Sequence, residues 1–75
     1  MEKEIVLEKV SSVLKQLTEE EISLDSELLD DLSITSLDTL ILVEKLEEEF
    51  NTKVSTTDIN NAKTVNDLVE LMLKS

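Results

Sequence analysis

The 75-residue chain has no cysteine, histidine, glycine, proline or arginine, and its one aromatic residue is Phe50. Each absence closes a class of chemistry. Without cysteine there is no disulfide and no thiolate nucleophile. Without histidine there is no side chain that titrates near neutral pH and no imidazole metal ligand. A single ring cannot supply the stacking platforms of a single-stranded nucleic acid binder. The longest aliphatic run, Leu40 to Val43, is four residues, against the roughly 20 a membrane-spanning helix needs. The opening MEKEIVLEKV lacks the basic region and apolar stretch of an export signal. The expectation is a soluble, cytoplasmic chain with neither a membrane nor a nucleic acid as partner.

What the chain does have is negative charge: 18 acidic residues against 7 basic ones, a formal net charge of −11. Such a surface repels phosphate backbones and anionic lipid and attracts basic protein surfaces. It also disfavours self-association, so a monomer is expected. Length fits a single domain over residues 1–75, near the size where a folded chain still exposes about 40% of its unfolded surface. Asp25-Ser26-Glu27 and Asp30-Asp31 concentrate carboxylates. They lack the glycine and regular oxygen spacing of a calcium loop, so no metal site is assigned.

Helix boundaries must be read from caps and apolar spacing, because nothing else punctuates the chain. Val6, Val10, Val13, Leu14 and Leu17 follow helical spacing and predict a first helix over about 2–17, with Glu4, Glu8 and Lys15 outward. From Thr18 to Thr35 the period lapses into a long connector whose Ile22, Leu24, Leu28, Leu29 and Leu32 should pack across the core, with Asp25-Ser26-Glu27 capping a short turn. Thr35 followed by Asp38 predicts the start of a second helix, with the Thr35 hydroxyl capping its first amides, and Asn51 predicts its end. A short helix over Ser55 to Asn61 is expected, capped by Thr56 or Thr57. A last one opens at Thr64/Asp67 and runs through Leu73 with Val65, Leu68, Val69 and Met72 inward. The fold class is all-α: a small antiparallel bundle of three long helices and one short one.

The second helix carries two apolar arcs. At about 100° per residue, Thr39, Leu42, Val43, Leu46 and Phe50 share one side, which is the core side. Leu37, Leu40 and Ile41 lie on the other with Glu44 and Glu48, which are not buried unpaired. The second arc is therefore expected on the surface, as an apolar spot rimmed by carboxylates next to Ser36, suited to docking a basic partner.

The run Asp31-Leu32, Ser36-Leu37-Asp38, Leu42-Val43 and Leu46-Glu47-Glu48-Glu49-Phe50 resembles, at unbroken spacing, the modification site of acyl carrier proteins, and the likeness covers nearly the whole chain. In that family an Asp-Ser-Leu motif opens the second helix, and its serine is esterified by 4′-phosphopantetheine donated by coenzyme A. The resemblance implies attachment at Ser36 and partner contacts at Leu37, Asp38, Leu40, Ile41, Glu44, Glu47 and Glu48. The partners implied are a phosphopantetheinyl transferase, which modifies the serine with Mg²⁺, and acyl-transferring, condensing or modifying enzymes with basic docking patches. No catalytic residue is implied, and no metal site: the chain is expected to carry, not to catalyse.

The chain departs from the family pattern at several positions. Thr35 stands where the family has Asp, Ser33 replaces a usual Gly, Ile41 falls at a position often acidic, and STTDINNAK lacks the dense acids of fatty-acid carriers. Ile59 and Leu68 are bulky where small residues would leave room for a lipid. These differences point to a specialised pathway, polyketide-type or another secondary-metabolite route. A housekeeping fatty acid carrier and a D-alanyl or aminoacyl carrier are the alternatives. An unmodified carrier-like scaffold or regulatory subunit is the alternative of another class.

Overall fold

The computed structural model describes residues 2–74, so the expected ends of a 1–75 domain, Met1 and Ser75, lie outside the described residues. Among the described residues four helices follow in order: α1 (Lys3–Leu14), α2 (Ser36–Phe50), α3 (Thr56–Asn61) and α4 (Val65–Lys74). The chain is all-helical, as its spacing predicts; the one β feature among the described residues is an isolated antiparallel bridge between Glu27 and Thr64.

The core forms where the apolar stripes meet. Val6, Val10, Val13 and Leu14 of α1 face Val65, Leu68, Val69 and Met72 of α4 and Leu42, Val43 and Leu46 of α2. Polar bonds fasten the edges of these seams. Lys3 Nζ lies 3.2 Å from Glu70 on α4, and Lys45 Nζ donates to Gln16 Oε1 at 2.8 Å. Lys9 sits 5.5 Å from the centre of the Phe50 ring, within cation–π range.

α1 stops at Leu14, three residues before the expected end. The chain tightens there, with Gln16 N–H donating to Val13 O and Leu17 N–H to Leu14 O. This 3₁₀-type closure satisfies carbonyls that would otherwise be orphaned. Leu17 still packs on the core from the turn.

The long connector is held rather than loose. Leu28 N–H donates to Lys63 O, Val65 N–H to Ser26 O and Asn66 N–H to Leu24 O, stitching it to the start of α4. Residues 27–33 form a helical turn whose capping differs from the expected one. The Asp31 carboxylate accepts the Glu27 N–H at 2.7 Å, while the Ser26 hydroxyl accepts the Ser23 N–H at 3.0 Å. Leu28 and Leu32 point inward, but Leu29 does not pack across the core; it is 63% exposed. The turn ends at Ser33, at φ 57, with Ser33 N–H bonded to Leu29 O. This is the left-handed closure a glycine usually makes.

α3 is capped by Ser55, not by Thr56 or Thr57: Ser55 Oγ accepts the Asp58 N–H at 3.4 Å. Three successive hydroxyls compete for that role, and only the first precedes the helix with an extended backbone. α4 begins as expected. The Asp67 carboxylate accepts the N–H of Lys63 and of Thr64, and Thr64 Oγ1 accepts the Asp67 N–H in return. The backbone bonds from Lys63 and Thr64 hold the Asp67 carboxyl below its ordinary pKa.

Candidate functional site

The site is built on the first turn of α2. Thr35 precedes the helix with an extended backbone, and with Asp38 it forms a capping box. The hydrogen bonds found there end on the Asp38 carboxylate, which accepts the Thr35 N–H at 3.1 Å and the Thr35 hydroxyl at 3.2 Å. The threonine hydroxyl thus donates to the aspartate and also faces the Asp38 backbone N–H, the capping role the sequence suggests. Beneath them buried Thr39 turns its hydroxyl back to the Thr35 carbonyl at 3.2 Å. The start of the helix is thus fixed by three residues, none of them Ser36.

Ser36 is the first residue of α2 and is exposed. Among the described residues no hydrogen-bond partner engages its hydroxyl. It therefore stands unengaged at the positive end of the helix dipole, a place where negative charge is electrostatically favoured. One flank of Ser36 opens on a groove of about 530 Å³ lying against the connector, α2 and α3, with Leu28, Leu42, Ile59, Asn60 and Lys63 among its lining.

On the solvent side of α2 the expected second arc is in place. Leu37 is 79% exposed, Leu40 62% and Ile41 44%, and Glu44 and Glu48 are exposed beside them. Leu29, on the turn before Ser36 and also lining the groove, is a fourth exposed apolar side chain. The sequence carries a faint signal for it: once Leu28 and Leu32 are taken as an inward i, i+4 pair, Leu29 falls about 100° away from Leu28.

The acids of α2 divide by task. Asp38 is half-buried in the cap. The Glu47 carboxylate accepts the Val54 N–H at 2.9 Å, while its carbonyl receives the N–H of Asn51 and of Thr52. Glu47 therefore ties α2 to the connector that leads into α3. Glu44 and Glu48 have no such engagement among the described residues. The lysine of α2, Lys45, is turned to Gln16 in the turn after α1, so the outer arc of α2 presents negative charge alone. No group of three or more carboxylates among the described residues is placed to hold a metal ion, and no helix among them is long and apolar enough to cross a membrane.

Comparison with known proteins agrees with this geometry. The family model described as the phosphopantetheine attachment site matches residues 4–72. The chain is 33% identical over 75 residues to an acyl carrier protein of Coprothermobacter proteolyticus, covering 96% of this chain and 92% of that one. It is 40% identical over 68 residues to an acyl carrier protein of Clostridium perfringens, covering 91% and 83%. A solved structure, provisionally named as an acyl carrier protein, from Mycobacterium tuberculosis superposes with a TM-score of 0.72 at 30% identity, covering 96% and 95% of the two chains. The chain belongs to the acyl carrier protein family: it is a carrier with covalently attached 4′-phosphopantetheine, and not itself a catalyst.

Proposed function

We propose that Ser36 is the residue that bears 4′-phosphopantetheine and that the chain hands acyl intermediates between the enzymes of a specialised, polyketide-type or other secondary-metabolite pathway. The observation that carries the attachment is the division of labour at the start of α2. Capping falls to Thr35, Asp38 and Thr39, and the exposed Ser36 hydroxyl is left unengaged. A hydroxyl that accepts a phosphoryl group inside another enzyme needs access, rigid presentation and a favourable field. Ser36 has all three. With no histidine in the chain, deprotonation falls to the partner, a phosphopantetheinyl transferase working with coenzyme A and Mg²⁺. The bound group supplies a thiol that carries the acyl cargo as a thioester.

Leu37, Leu40 and Ile41, with Glu44 and Glu48 as their rim, form the docking face for the transferase and for acyl-transferring, condensing or modifying enzymes with basic patches. Asp38 and Glu47 belong to its border, each with an oxygen already committed within the chain. The pathway assignment is supported by Ile41 widening the apolar face and by the mainly uncharged α3.

Incubation with coenzyme A, Mg²⁺ and a broad-specificity transferase, followed by intact-mass analysis, tests the attachment. One phosphopantetheine adduct on the wild type and none on Ser36→Ala is expected. An unmodified wild type, beside a control carrier that is converted, favours the unmodified scaffold, for which Thr35 in place of the family's Asp is the specific support.

A further inference from the structure

Ser36 stands between two surfaces of different charge. On one side is the outer arc of α2 with the carboxylates of Glu44 and Glu48, the lysine of that helix being turned away. On the other is the groove, and Lys63 is the one lysine in its lining. Lys63 follows α3 and is exposed. Its backbone is fixed at both polar groups: the N–H donates to the Asp67 carboxylate at 2.9 Å, and the carbonyl accepts the Leu28 N–H at 2.8 Å. Its ammonium has no hydrogen-bond or ion-pair partner among the described residues, whereas Lys3, Lys9 and Lys45 are engaged. It adds little to the state of Asp67, whose carboxyl is lowered chiefly by the backbone N–H of Lys63 and of Thr64 and least by the charge of the Lys63 side chain. Glu27 and Asp30 line the groove from the connector. A negative group rooted on Ser36 therefore meets acids on every side except that of Lys63.

We propose that Lys63 is a positioning residue for the prosthetic group: its ammonium attracts the phosphodiester borne by Ser36, so that the group leaves Ser36 on the groove side and the outer arc of α2 stays clear for partners. This rests on the reading of Ser36 as the attachment residue. A phosphodiester keeps one negative charge across the ordinary pH range, repelled by Glu44 and Glu48 and attracted by Lys63. Between exposed groups both forces weaken as salt rises, and they select a direction for a flexible group more than they add affinity. Lys63→Gln removes the charge and leaves both backbone bonds in place.

The test compares the isotope-labelled full chain by NMR before and after conversion with coenzyme A, Mg²⁺ and a transferase, with intact mass confirming one adduct and Ser36→Ala as control. At about 0.01 M salt the side-chain Cε and Nζ signals of Lys63 should move on conversion at least about twice as far as those of Lys15, Lys53 and Lys74, and the excess should fall by about half or more at about 1 M, where the screening length is about 3 Å rather than about 30 Å. The phosphorus signal of the converted wild type should respond to salt over the same range. That response should be lost in Lys63→Gln and kept in Lys63→Arg, with the circular dichroism of both unchanged. A Lys63 displacement no larger than that of the other lysines, or one that salt leaves unaltered, overturns the proposal. So does a phosphorus response that survives Lys63→Gln. A missing adduct on the wild type, or one that persists in Ser36→Ala, shows instead that the attachment reading has failed, and the positioning proposal falls with it.

Discussion

A serine at the start of a helix usually spends its hydroxyl on the backbone amides there. Ser36 does not, because it sits one position inside the helix and the cap is made by its neighbours. This much is legible in the sequence, since Thr35 and Asp38 stand at capping-box spacing. The added bond from the Thr35 hydroxyl to the Asp38 carboxylate is not, because a hydroxyl both donates and accepts. Ser33 is a second residue whose state is hidden in its letter. Its φ of 57 places it in a region that costs a residue with a Cβ roughly 1–2 kcal/mol. Glycine avoids that cost but loses more entropy on folding. Ser33→Gly should therefore raise stability by up to about 1 kcal/mol, seen as a higher urea midpoint at unchanged slope.

At the scale of the element, α2 carries acids of two kinds that its sequence does not separate. Glu47, Glu48 and Glu49 read as one acidic run, yet Glu47 alone of the three bonds the Val54 N–H. Its position on the helix, between the core arc and the outer arc, is what brings the carboxylate to the following connector. Glu47→Ala should cost about 1 kcal/mol in chemical denaturation by leaving that part-buried amide unpaired. Glu48→Ala should stay within about 0.5 kcal/mol of the wild type while slowing modification by the transferase. The start of α4 was readable from Thr64 and Asp67 for the same reason as α2, and it carries a pH signature. The Asp67 carboxyl is lowered in the folded state from its ordinary value of 3.8. Its stabilising contribution is thus fully present above that value and is lost as pH falls through the lowered one. Asp67→Ala should cost about 1 kcal/mol at neutral pH, and the gap to the wild type should close in urea titrations carried out at progressively more acidic pH. The connector was the least legible element. Its leucines follow no single period, so the outward turn of Leu29 emerges only once the stitches to α4 are known.

For the whole molecule, charge is read directly from composition, and the structure adds where it is not neutralised. Lys3, Lys9 and Lys45 are turned to Glu70, to the Phe50 ring and to Gln16, which leaves the outer arc of α2 acidic, while Lys63 stands exposed across the groove. Encounter with a basic transferase should be steered by this field. The second-order rate of modification should fall as ionic strength rises from about 0.01 M to about 1 M, over which the screening length shrinks from about 30 Å to about 3 Å. Charge reversal at both Glu44 and Glu48 should flatten that dependence. The bundle follows from helical periodicity, whereas the groove does not, because it is bounded by a connector and a six-residue helix brought together only by folding.

Of the hydroxyls near the start of α2, the one on the first residue of the helix, Ser36, is the one expected to be modified. The direct measurement is site mapping by fragmentation mass spectrometry of the protein after treatment with coenzyme A, Mg²⁺ and a transferase. Phosphopantetheine is expected on Ser36, with Ser33 and Thr35 unmodified. Modification at Ser33 or Thr35, or none while a control carrier is converted, would contradict it.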